Sequence, residues 1–393
     1  MRPRIGILHI GSERWIAGVI YLQNLVGALA SLSPREDNGI FVVTAAHRLR
    51  LRHGRIEGTN GVVPFGWKNG DPAWRRLAGA GLSIAFGFRP LGLDEAVQRA
   101  AIDVLFPVTQ ACRFDAPVKP IAWIPDFQHL HFPQYWSEQA LEQRRAAVAG
   151  LIESNCDLVV SSDNARRDLA TLNPSRKRVH VLPFVTVPRF NWLNGDPNEA
   201  VQRYGLPRKY LMFPSQFWQH KNHVTLFNAI ALLRKRGLRD IFLVTTGLQI
   251  DHRAPMHGPQ LIRLINELGI GDAVSMLGLL SRNDQIQLVR AAAAIVQPSL
   301  FEGWSALVED CRVLGKHLFL SDIPVHREQR PDNAVFFPAT SAEALAEAIA
   351  LAWPDLGPGP DHVAEQRAWD GTLARAQGFA TRFLEIVRAN TDV

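Results

Sequence analysis

A doubly wound α/β fold, built twice over, is what this 393-residue sequence predicts. Three observations point to it. Short apolar runs recur along the chain, at 5–10, 40–44, 102–108, 121–124, 158–161 and 179–182, and again at 210–213, 241–245, 274–277, 294–296, 318–320 and 334–337. Most are apolar at every position, as expected for parallel strands covered by helices on both faces. Helix-length segments separate them, and strand alternating with helix is the pattern of an open parallel sheet. Finally, a stretch rich in turn formers, with Pro188, Asn191, Asn194-Gly195-Asp196-Pro197 and Gly205, divides the runs into two batches.

The expected organisation is therefore a first Rossmann-like domain over 1–190 and a second over 200–353. After the Pro354–Pro360 break, a final helix over 361–393 is expected to pack back toward the first domain. Composition agrees with a globular chain: 47% hydrophobic and 20% charged residues. No apolar run approaches the ~18 residues of a membrane span. The N-terminal apolar run is broken by His9, Gly11, Ser12, Glu13 and Arg14, so it reads as a first buried strand and not a signal peptide. Cys112, Cys156 and Cys311 lack metal-type spacing, which fits a reduced, cytoplasmic setting. The net charge of +6 favours anionic partners, but nucleic-acid motifs are absent. Residues 67–92 interleave Trp67, Lys68, Trp74, Arg75, Arg76, Phe86, Phe88 and Arg89 with small apolar residues. Two readings stand: peripheral contact with an anionic membrane, or a helix packed by its aromatics, which is preferred.

The richest stretch is 297–316. An apolar strand runs into a Pro-Ser turn, then Glu302 and Gly303, then a helix with Ser305 as its expected N-cap and Gly315 as its stop. Unpaired N–H groups at such a turn make an anion site. On a helical wheel Leu307, Val308, Cys311 and Leu314 form the buried arc. Asp310 lies at its edge and Glu309 toward solvent. A phosphate site flanked by acids that grip hydroxyls suits a nucleotide-activated sugar. A second anion site, Ser215-Gln216-Phe217-Trp218-Gln219-His220-Lys221-Asn222, follows the first strand of the second domain. Ligands of open α/β sheets sit at the carboxyl ends of strands, so both loops are expected to face one crevice. Lys221 would neutralise a departing diphosphate.

Together with Leu320-Ser321-Asp322-Ile323-Pro324-Val325-His326-Arg327-Glu328, these loops resemble the retaining GT-B-fold glycosyltransferases. The specific likeness is to the large bacterial mannosyl- and glucosyltransferase group (glycosyltransferase family 4 type). It is strong over about 215–328 and weaker over the whole chain. The resemblance implies two Rossmann-like domains facing across a cleft, and a hexosyl group moved from a GDP- or UDP-sugar to a saccharide or lipid-linked saccharide with retention. The nucleotide-diphosphate sugar is a co-substrate, and no cofactor or metal is implied. It also implies residue roles. Glu302 matches the glutamate beside the transferred sugar, and Asp310, or Glu309 in its place, the acid on the ribose. The backbone of Gly303, Trp304 and Ser305 would close on the donor. Lys221 matches the phosphate-binding lysine, but Gln216 stands where an arginine is usual, so that His220 or another cation would have to help. Gly18 matches one glycine of the loop after the first strand (11–19), with Val19 at the second. His129 and Asp126, in Pro125-Asp126-Phe127-Gln128-His129, stand near the family's His-Asp pair. The absence of Asp-x-Asp agrees with metal-independent chemistry, and that of Gly-x-Gly-x-x-Gly speaks against a dehydrogenase. Two rivals remain: a nucleotide-sugar epimerase of the same architecture, and a non-catalytic sugar-nucleotide-binding protein.

Overall fold

The structure is a computed structural model that describes residues 3–10, 16–32, 39–45, 59–65, 92–111, 114–189 and 191–391. Contacts divide the chain into two units. The first comprises 1–129, 138–187 and 373–393, the second 130–137 and 188–372.

In the first unit the strands are β1 (Ile5–Leu8), β2 (Ile40–Ala45), β3 (Gly61–Phe65), β4 (Val104–Val108), β5 (Lys119–Ile124), β6 (Asp157–Val160) and β7 (Val179–Val181). They form one sheet in the order β3-β2-β1-β4-β5-β6-β7, with every pairing parallel. Helices α1 (Ile16–Ala30), α2 (Leu93–Arg99), α4 (Glu138–Glu153) and α5 (Asp163–Leu172) accompany them, and the short α3 (Gln128–His131) straddles the division between the units. The strand β3 was not expected from sequence. It alternates half-buried and exposed residues and contains Pro64, and it lies at the sheet edge, where a missing N–H costs no ladder bond.

The second unit opens with α6 (Asn191–Asn194) and α7 (Pro197–Arg203). Its strands are β8 (Leu211–Pro214), β9 (Leu243–Thr246), β10 (Val274–Met276), β11 (Ala294–Gln297), β12 (Leu318–Ser321) and β13 (Ala334–Phe337). They are ordered β10-β9-β8-β11-β12-β13, again parallel. The helices are α8 (His223–Lys235), α9 (His257–Glu267), α10 (Arg282–Ala291), α11 (Ala306–Val313), α12 (Pro324–Gln329), α13 (Ala342–Ala352) and α14 (His362–Asp370).

The period of two explains why these strands read as unbroken apolar runs. Leu211, Phe213, Leu243, Val296 and Phe319 point into one core layer with α8 and α13. Tyr210, Met212, Val244, Ile295, Leu318 and Leu320 point into the opposite layer with Val308, Cys311 and Leu314. Both faces are covered, so both sets must be apolar. The switch of strand order at β8 and β11, which run side by side, brings their two following loops together at the carboxyl edge.

The tail differs from expectation. Instead of one helix over 361–393 there are two. Asp361 caps α14 by accepting from the Val363 and Ala364 amides. The helix α14 belongs to the second unit, while α15 (Thr372–Thr391) lies almost wholly in the first. There Phe383 packs on Phe106, and Asn390 Nδ2 donates to Asp157 Oδ2 at 3.0 Å. Among the described residues, no helix is long and apolar enough to cross a membrane. The aromatic and basic segment singled out at 67–92 lies, but for residue 92, outside the described residues.

Candidate active site

The site is built on the loops after β8 and β11. After Pro214 the chain turns, with the Trp218 amide donating to the Gln216 carbonyl at 2.8 Å. A single 3-10 turn, Gln219–Lys221, leads into α8. Asn222 joins the two in the left-handed region, at φ 60°, which asparagine tolerates better than most residues. Its side chain fixes the neighbouring loop: Nδ2 donates to the Pro298 carbonyl at 3.0 Å and to the Ala339 carbonyl at 2.8 Å. The Leu300 amide donates to the His220 carbonyl at 2.8 Å. These bonds hold the two loops in contact. A third loop supports them, since Phe217 N donates to the Leu248 carbonyl at 3.0 Å. Gly247, at φ 117°, permits this approach: a Cβ there would stand 2.5 Å from the Ser215 carbonyl oxygen.

The result is a direct pair. Lys221 Nζ donates to Glu302 Oε1 at 2.6 Å, with the side chains 15% and 9% exposed. Gln297 Nε2 donates to the same oxygen at 2.9 Å. The orientation of the Gln297 amide is set by Ser305 Oγ, which donates to Gln297 Oε1 at 2.9 Å and caps α11 by accepting from the Val308 amide. Burial pushes the Glu302 carboxyl up, but the charge and hydrogen bond of Lys221 outweigh it and hold the group below its ordinary range. The Glu302 carboxylate and the Lys221 side chain thus sit together between two helix starts.

The other acids of the segment depart from expectation. Glu309 does not face solvent; it is 3% exposed and accepts from Gln329 Nε2 at 2.9 Å and from Arg312 Nε at 3.3 Å. The reason is Gln329 at the end of α12, which covers this face of α11. The same Gln329 accepts the Ser305 amide at 3.1 Å, so that amide is not offered to a ligand. Asp310 is equally buried and accepts from Arg282 Nη2 at 2.6 Å. Gly303 and Trp304 are half-buried in the turn, as are Ser215 and Gln216 after β8. His220 is buried, and its ring is pushed well below its usual pKa, first by burial and then by the positive charges of Lys221 and Arg253. It is neutral and adds no charge to an anion site.

In the first unit, Gly18 is not in a loop but in the first turn of α1; residues 11–15 lie outside the described residues. The apolar run that starts at Ile16 carries the helix past it. Asp126 caps its own turn, accepting from the Gln128 amide at 3.1 Å, and lies 3.7 Å from Arg144. His129 is 1% exposed in the short α3, its ring 6.2 Å from that of Phe127. These three residues belong to the first unit, and Lys221 and Glu302 to the second.

One feature of the site was missed from sequence. Residues 130–137, in the first half of the chain, belong to the second unit. His131 and Phe132 lie 5.2 and 6.3 Å from Phe301, the neighbour of Glu302. Trp136 stacks under Arg253. The aromatic content of His131-Phe132-Pro133-Gln134-Tyr135-Trp136 was the available signal. Among the described residues, no cluster of three His, Cys, Asp or Glu is disposed to hold a metal ion.

Two parallel, doubly wound units with a polar cluster at the carboxyl edge of the second define the GT-B class of fold. Comparison with known proteins agrees. Residues 198–355, within the second unit, match the family model described as glycosyl transferases group 1. The whole chain is similar in fold to Anabaena Alr3699/HepE in complex with UDP and glucose. The TM-score is 0.64 at 16% identity, covering 100% of this chain and 98% of that one. It is similar also to sucrose-phosphate synthase from Thermosynechococcus elongatus, with TM-score 0.62, 16% identity and 99% of both chains covered. WaaG, a glycosyltransferase involved in lipopolysaccharide biosynthesis, gives TM-score 0.59 at 14% identity over 99% of both chains. No curated protein sequence matches the chain.

Proposed function

We propose that this protein transfers a hexosyl group from a nucleoside-diphosphate sugar, UDP- or GDP-linked, to a hydroxyl of a saccharide or lipid-linked saccharide, with retention at the anomeric carbon and without a metal. The observation that carries the reading is the Lys221–Glu302 pair at 2.6 Å. It sets one positive and one negative group side by side at the carboxyl edge of the second sheet, which supports a diphosphate bound next to a sugar ring. Lys221 stabilises the departing phosphate. Glu302 holds sugar hydroxyls and favours positive charge developing at the ring. The bond from the anomeric carbon to the phosphate oxygen breaks, and the acceptor oxygen bonds to that carbon on the same face. The acceptor proton passes to the leaving phosphate, so no protein base is required. HepE, similar in fold, is described in complex with UDP-glucose, which supports a uridine donor among the two. Glu309 and Asp310 remain the candidates for the ribose, each released from its present partner. Gly18, Asp126 and His129 are proposed for the acceptor side.

The test is product formation from a panel of nucleotide sugars and oligosaccharide acceptors, with Glu302→Ala as control. Transfer by the native protein and its loss in the variant support the reading. Unchanged transfer by Glu302→Ala removes Glu302 from the chemistry. Epimerised sugar nucleotide formed from donor alone would replace transfer with epimerisation.

A further inference from the structure

The loop after β8 presents one formal charge, Lys221, where a diphosphate carries at least two, and neither Gln216 nor the neutral His220 adds another. The loop after β9 does. Asp251, 1% exposed, accepts from Arg253 at its backbone N (3.0 Å) and its Nε (3.2 Å). The second oxygen of Asp251 accepts the Gln219 amide at 3.3 Å. One buried carboxylate therefore both anchors this loop to the 3-10 turn bearing Lys221 and orients the Arg253 guanidinium. Two indoles bracket that guanidinium: Trp218 of the phosphate loop at 5.4 Å and Trp136 at 5.1 Å. Such stacking fixes the plane of an arginine. Arg253 thus stands beside the same stretch of loop that bears Lys221, through the Gln219 amide on Asp251 and through the Trp218 indole. Each has a carboxylate beside it, Asp251 and Glu302 respectively.

Resting on the donor reading above, we propose that Arg253, delivered by the loop after β9, is the second diphosphate-binding cation and replaces the charge absent at position 216. A planar fork suits two phosphate oxygens better than a point charge.

The experiment is calorimetric titration of UDP and GDP, each against its bare nucleoside, into the native protein and into Arg253→Gln, Lys221→Gln, Arg253→Lys and Gln216→Arg/Arg253→Gln. Melting curves confirm that each variant folds. The expected result is that Arg253→Gln weakens the diphosphate about ten- to a hundredfold and flattens its salt dependence, with nucleoside affinity unchanged. Arg253→Lys is intermediate, and Gln216→Arg restores part of the loss. Equal weakening of nucleoside and diphosphate, without rescue, would make Arg253 a clamp for the two indoles and overturn the proposal. If Arg253→Gln binds like the native protein while Lys221→Gln does not, this inference fails alone. If both bind like the native protein, the donor reading fails with it.

Discussion

Replacing Glu302 with glutamine separates two roles of one carboxylate. In the structure Glu302 is the counter-ion of Lys221, at 2.6 Å and 9% exposed. The amide keeps the shape, and its oxygen still accepts from Nζ, so the loss is the charge. A charge-assisted bond contributes about 1.5–3 kcal/mol against about 1 for a neutral one, so removing the charge should destabilise the unliganded protein by about 0.5–2 kcal/mol. For a unit of this size that lowers Tm by about 1–8 °C. Binding of the nucleoside diphosphate moves the other way. Lys221 is no longer shared with a competing anion, and the diphosphate no longer meets a carboxylate at the site. Affinity should hold or improve. Transfer should nevertheless fall by about 10²–10³, the usual loss when one electrostatic group at the reacting centre is removed. Calorimetry, melting and a transfer assay on one preparation read all three. Loss of nucleotide affinity in step with activity would refute the argument, because it would make Glu302 a scaffold for the loop and not a group facing the sugar.

Acid should destabilise this protein early. Burial, as the leading cause, lowers the pKa of His220, His223, His257, His317 and His326, and His223 is held at about 3. The unfolded chain takes up these protons below about pH 6.5 and the folded one does not, so stability is full above that pH and is lost as pH falls through it, by up to about 1.4 kcal/mol per unit per histidine. A Tm that stays level from pH 7.5 to 5.5 would contradict this. Glu365→Ala should cost about 3–5 kcal/mol, because it strands Arg290, 1% exposed and doubly bonded to Glu365 at 2.6 and 3.0 Å. Denaturant midpoints measure it, and a loss under about 1 kcal/mol would show that the Trp192 and Gly195 carbonyls with Gln287 Oε1 satisfy the guanidinium without Glu365.

What the sequence disclosed follows from which signals are local. Strands buried on both faces, such as β8 and β11, are continuous apolar runs and could be read directly. The Ser305 cap and the Gly315 stop were legible because each serves its own helix; Gly315 takes φ 60°, and a Cβ there would meet the Ala364 carbonyl at 2.5 Å. The edge strand β3 was not, since Pro64 and an exposed face disguise it. Nor was the burial of Glu309, because the wheel of α11 cannot show that Gln329 arrives from α12 to cover it. Lys221 and Glu302 were paired from two loops 81 residues apart only because strand order makes their strands neighbours. Arg253 and the 130–137 segment meet through tertiary contacts within the second unit for which the sequence carries no spacing signal.

The central claim is that Lys221 and Glu302 together seat a sugar donor. Its most direct measurement is thermal unfolding of the native protein and of Lys221→Ala across a panel of nucleotide sugars. The account predicts that one class of donor, at about 100 times its Kd, stabilises the native protein by about 2.7 kcal/mol, and that most of this gain disappears in the variant. A donor that stabilises both proteins equally would contradict it.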